Sequence, residues 1–224
     1  LSRELNLRPF AVGLLGNHEV TPSMLAFVIV LLSTVTFDGF TSTPLWAHTL
    51  AQLYDSVPSL VVIRTLGLIG FPLIFIGVYF LFSLFMARSS GNCLPTEELA
   101  RAFVYSLVPI ALAYHLAHYM SFLLVQGQLI IPLASDPLGF GWNIFGTADY
   151  LINIRVVSAR VTWFMAVAFI VVGHIIAVYL AHIMSLRTLR RRHLAIRSQY
   201  PMIVLMVGYT ATSMWILAQP ITAE

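Results

Sequence analysis

Apolar residues in this chain gather into long, nearly unbroken stretches, with polar residues confined to the joints between them. Five such stretches stand out, running from about Pro22 to Phe37, Arg64 to Met86, Arg101 to Val125, Val161 to Ser185, and Pro201 to Leu217. A bilayer core about 30 Å thick needs roughly 20 mainly apolar residues to cross it. In lipid the backbone must bond to itself, so runs of this length are helices. Strict apolar–polar alternation is missing, which argues against a membrane β-barrel. The first stretch is short and closes at Asp38-Gly39, and the last opens on Pro201, a residue suited to a first helical turn. The pattern predicts an all-α, polytopic transmembrane bundle with five spanning helices and two long outer loops, residues 38–63 and 126–155. An N-terminal arm (1–21) and a short C-terminal tail (219–224) flank the helical domain (22–218).

Composition supports this picture. Hydrophobic residues make up 59% of the 224 positions and charged residues only 9%, far below the roughly 25% of a soluble domain. All 12 basic residues are arginines. Nine fall in the arm, the second-to-third connection and the fourth-to-fifth connection, whereas Arg64, Arg155 and Arg160 fall on the opposite side. Arginine-rich connections stay in the cytoplasm. The expected placement is therefore a bacterial inner membrane with the N-terminus inside and the C-terminus outside. The Arg190-Arg191-Arg192 cluster reads as a topology anchor at anionic headgroups. The charge is too localised, and the rest too apolar, for a nucleic-acid binder. Cys93 is the single cysteine, which excludes an internal disulfide and a cysteine-rich zinc site within the chain. The first 20 residues lack a signal-peptide pattern, and Leu1 in place of an initiator Met predicts a processed or truncated chain.

Both outer loops hold aromatic residues and little charge. The first carries Trp46, His48, Tyr54 and Asp55; the second carries the run from Ser135 to Asn143, rich in Gly, Pro and aromatics. Such loops either cap the bundle at headgroup depth or form compact, functional interfacial structures. No internal repeat is evident, so an inverted-repeat transporter plan gains no support.

The candidate chemistry is carried by histidines inside the apolar stretches. At 100° per residue, His115, His118, Tyr119, Phe122 and Gln126 share one face of the third span, with Pro109 upstream to kink it. Counting 1.5 Å per residue puts His115 roughly 21 Å from the cytoplasmic end and His174 roughly 20 Å in from Val161, both near the midplane. His182 lies two turns nearer the cytoplasm. Beside His174 runs a stripe of small residues, Ala166, Gly173, Ala177 and Ala181, broken by Ile170. The stripe allows close helix approach or leaves space for a flat cofactor.

Three readings fit His115, His118 and His174. They tie helices together by hydrogen bonds. They bind a transition metal ion or relay protons, supported by Tyr119, Gln126, Asp38 and His182. Or His115 and His174 hold a haem b iron from both sides. Asp38 and Arg64 are expected to pair at the outer ends of the first two spans, and Asp136 and Asp149 with His48 are possible outer-face ligands. Glu97 and Glu98 follow Thr96 as a helix N-terminus signal and carry no expected chemistry.

Several stretches carry a family likeness: Leu5 to Gly13, Thr36-Phe37-Asp38-Gly39-Phe40, His115 to Gln128, and Ser135 to Tyr150. Together they make the chain resemble an uncharacterised family of polytopic membrane proteins from high-GC bacteria. The resemblance spans nearly the whole chain and implies a longer protein with further segments before Leu1. It implies no activity and assigns no functional residue. The leading expectation is a membrane component that binds or conducts an ion, a transition metal or a proton through intramembrane histidines. Its expected partners are the bilayer and other membrane subunits or copies of itself. A haem- or quinone-linked redox subunit and a non-catalytic scaffold are the alternatives.

Overall fold

The computed structural model describes residues 11–16, 20–189 and 191–219. Among them eight α-helices follow one another: α1 (Pro22–Thr41), α2 (Pro44–Ser56), α3 (Leu60–Ser89), α4 (Thr96–Phe103), α5 (Val108–Gln126), α6 (Ile130–Ser135), α7 (Ala159–Thr188) and α8 (Arg192–Ala218). No strand occurs among the described residues. Single 3-10 turns at Val104–Leu107 and Gly127–Leu129 join α4, α5 and α6. The result is one continuous helical span from Thr96 to Ser135. Five segments are thus long and apolar enough to cross a membrane, as the hydropathy pattern predicts.

Helix starts are written locally. Thr21, Thr43, Ser59 and Ser158 each accept the backbone N–H three residues on, at the heads of α1, α2, α3 and α7. These bonds satisfy donors that a helix's first turn leaves open. Pro22 and Pro44 stand just inside their helices, where no N–H is missed.

Several boundaries differ from the sequence expectation. The first span extends through Thr41, so Asp38 sits within its last turns. The first outer connection is largely helical, because Thr43-Pro44 restarts the chain as α2. Arg64 lies in the second turn of α3, which opens at Leu60. The third span continues beyond Val125 to Ser135, leaving residues 136–158 as the loop proper. Pro201 falls inside α8, which begins at Arg192, so the helix carries Arg192 and Arg197. Pro95 precedes α4 and Thr96 is its first residue, without a side-chain cap. Arg190, Arg3, Arg8 and nearly all of the tail lie outside the described residues.

The main core lies at the arginine-rich end. There Ile29 and Leu32 of α1, Tyr79 of α3, Phe103 of α4 and Met202 of α8 are fully enclosed. Smaller clusters build the opposite end: Val35, Tyr114, Ile170 and Ile216 in one, and Phe37, Trp46 and Ile63 in another. Much of α3 faces outward, with Val61, Leu73 and Ile74 all more than 60% exposed. Lipid is as apolar as these side chains, so their exposure is the expected state of a membrane-facing helix. Helix lengths also differ. At 1.5 Å per residue α1 is about 30 Å long, whereas α3 and α7 approach 45 Å.

Candidate functional site

At the end of the bundle remote from Arg88 and Arg197, a cleft of about 400 Å³ is lined by Thr34, Phe37, Asp38, Thr41, Arg64, Thr65, Leu68 and Tyr119. One carboxylate oxygen, Asp38 Oδ2, accepts two hydrogen bonds here. His118 Nε2 donates at 2.9 Å and the Tyr119 hydroxyl at 2.8 Å. Both donors come from α5, eighty residues away in the chain. The two rings meet edge to face with centroids 4.8 Å apart. About half of the Asp38 side chain is exposed, while that of His118 is four-fifths covered. Arg64 lines the same cleft from α3, so the expected outer-end neighbours do share one site.

Close backbone approach makes this geometry possible. A Cβ on Gly39 would stand 3.0 Å from the Tyr114 hydroxyl, 3.0 Å from Ile216 Cγ2 and 3.5 Å from His118 Cε1. Without a side chain at 39, α1 can press against α5 and α8, and His118 reaches Asp38 one residue back. The Tyr114 hydroxyl is buried at this contact. Thr34 and Thr36 return their hydroxyls to carbonyls of their own helix, leaving Asp38 as the ionisable group of α1's outer half.

The remaining intramembrane histidines have other partners. His115 Nδ1 bonds the Ala111 carbonyl of its own helix at 2.8 Å. His174 Nδ1 meets the Thr210 hydroxyl at 2.9 Å, and His182 Nδ1 meets Gln199 Oε1 at 2.8 Å. Ser185 adds bonds to the Ala195 carbonyl (2.6 Å) and Ser198 Oγ (3.2 Å). These contacts form a polar seam between α7 and α8. Interhelical bonds of this kind contribute about 0.6 kcal/mol each on average. The geometry of His174 and His182 therefore matches helix tying. Gln126 is exposed about two turns beyond His118 and outside the cluster.

The small-residue stripe serves close packing. A Cβ on Gly173 would fall 2.3 Å from Ala113 Cβ and 2.8 Å from the Pro109 carbonyl. Helices α5 and α7 touch at that level, which leaves no space between them there for a flat macrocycle. Among the described residues, no three His, Cys, Asp or Glu side chains converge as a metal site would require. Asp136 instead organises its own loop, accepting the N–H groups of Phe140 (2.9 Å) and Gly141 (2.8 Å). His48 pairs with Gln52 along α2. Gln128 pins the far side of the loop: its Nε2 donates to the Asn153 carbonyl, and its Oε1 accepts from Asn153 N and the Tyr150 hydroxyl. Glu97 pairs with Arg101 one turn along α4.

Sequence reasoning singled out His118, Tyr119 and Asp38 but had no means to join them. It missed Gly39 and Tyr114, whose roles depend on which helices adjoin. The Asp-Gly step at the end of a span was the available signal, since glycine there reports close backbone approach. Compared with protein-family models, curated proteins and solved structures, the chain matches none.

Proposed function

We propose that this is a proton-handling component of a bacterial inner membrane, with Asp38, His118 and Tyr119 as the group that takes up and releases the proton. The observation that carries this reading is the shared oxygen: Asp38 Oδ2 receives both an imidazole N–H and a phenol O–H in a cleft open to the outside of the bundle. A carboxylate paired with an imidazole can exchange a proton near neutral pH. Ionisable groups kept in or beside a membrane span usually serve a pathway. Between a proton and a metal ion, the proton is favoured. Asp38 and His118 supply two of the ligands a transition metal would need, and the Arg64 guanidinium lining the same cleft opposes a second cation.

Arginine distribution supports the orientation. Arg88, Arg101, Arg187, Arg191, Arg192 and Arg197 lie at the end remote from Asp38, and arginine-rich ends tend to stay in the cytoplasm, which supports a reading with the cleft on the outer side and the N-terminus inside. The outward apolar face of α3 fits assembly with other membrane subunits.

Proton flux into proteoliposomes loaded with a pH-sensitive dye, driven by a potassium diffusion potential, tests the reading. Wild-type protein should acidify the lumen faster than protein-free vesicles. Asp38→Asn and His118→Gln should return the rate to that background, while His182→Ala should keep it. A wild-type rate equal to background, or undiminished flux in both site variants, overturns the proposal.

A further inference from the structure

A second cleft, of about 580 Å³, opens at the opposite end of the bundle between α3 and α8. Its rim holds Arg88 and Ser89 near the end of α3, with Arg197 and Tyr200 from α8. Its wall is apolar: Phe82, Phe85, Pro201 and Val204. Arg88 and Arg197 are both exposed, and neither has a carboxylate or other acceptor among the described residues. Two guanidiniums from different helices thus line one cleft without a counter-charge among the described residues, on two helices long and apolar enough to cross a membrane.

We infer that this cleft is a binding site for an anionic phospholipid. The lipid phosphate would sit between Arg88 and Arg197, with its acyl chains along Phe82, Phe85 and Val204. Each part of the cleft answers a part of that ligand. Guanidinium is the side chain best matched to phosphate oxygens, through paired N–H donors. Ser89 and Tyr200 can add hydroxyl bonds to phosphate or glycerol oxygens. The aromatic and aliphatic wall has no use for a free inorganic phosphate, but it continues the apolar surface along which acyl chains lie. Basic pockets between membrane helices at the cytoplasmic face recognise lipid head groups in this manner. The site is separate from the Asp38 cleft and does not rest on the proton reading.

Native mass spectrometry of the detergent-purified protein, with added phosphatidylglycerol, tests the inference. The wild type should retain a phosphatidylglycerol adduct at least tenfold more than a phosphatidylcholine adduct. Arg88→Gln with Arg197→Gln should abolish that preference, and Phe85→Ala should weaken it. Arg191→Gln with Arg192→Gln removes the same charge outside the cleft and should leave retention unchanged. Millimolar inorganic phosphate should not displace the lipid. The inference is overturned if the cleft double variant retains the lipid like wild type, if the control double variant loses it equally, or if inorganic phosphate competes.

Discussion

Gly39 and Tyr114 meet so closely that a single methyl group at position 39 would stand 3.0 Å from the tyrosine hydroxyl. This contact sets the spacing of α1 and α5 beside Asp38 and His118. Gly39→Ala should make Tyr114 or Ile216 give way by a few tenths of an ångström, an overpacking cost partly offset by the roughly 1 kcal/mol that Ala gains over Gly in a helix. The larger Gly39→Leu should separate the helices and break the His118–Asp38 bond. Thermal unfolding in detergent reads the first effect. Loss of proton flux with retained helical content reads the second. An unchanged midpoint in both variants contradicts the contact.

Gly173 is the tighter approach, since its neighbours include the backbone carbonyl of Pro109. Gly173→Ala should destabilise the α5–α7 pair by roughly 1–3 kcal/mol. Ala113→Gly should relieve only part of this, because it removes the clash with the methyl group and leaves the carbonyl in place. The double variant should therefore melt between Gly173→Ala and wild type.

The α7–α8 seam predicts stability effects without functional ones. His174→Ala and Thr210→Val should each lower the unfolding midpoint, with a double-mutant coupling on the order of 0.6 kcal/mol. Proton flux should persist in both. Flux lost in His174→Ala while the fold is intact would move that histidine from helix tying to the proton path.

Asp136 and Gln128 hold the outer loop by bonds to its backbone. Asp136→Ala frees the Phe140 and Gly141 amides, and Gln128→Ala frees that of Asn153. Hydrogen exchange at those amides should accelerate in each variant, while exchange in α1 and α8 stays unchanged. Uniform acceleration throughout the bundle would show that the loop is coupled to global unfolding.

Cys93 gives a direct report on orientation. It is exposed in the turn between α3 and α4, at the arginine-rich end, and is the chain's single cysteine. A membrane-impermeant maleimide should label it in inverted inner-membrane vesicles and leave it unlabelled in intact spheroplasts. The opposite pattern reverses the assigned topology.

The apolar runs alone determined that the chain is helical and that five of its segments are long and apolar enough to cross a membrane, though not where those helices end. A backbone in lipid has few other ways to satisfy its polar groups, so composition and length carry that information. Helix ends at Thr21, Thr43, Ser59 and Ser158 also use local chemistry, through hydroxyls that accept the next turn's N–H groups. The pattern opened the last span at Pro201, yet Pro201 lies inside α8, because proline opens a helix or sits within one according to whether neighbours hold the turn before it. Tertiary structure decided which histidine did what. His118, His174 and His182 look alike in sequence, each an imidazole in an apolar run, yet one meets Asp38 and the others meet Thr210 and Gln199. The pairing of Arg88 with Arg197 across one cleft arose the same way. Hydropathy is a property of each segment by itself. Which faces adjoin depends on where Gly39 and Gly173 let backbones touch, and that is settled only when the helices pack.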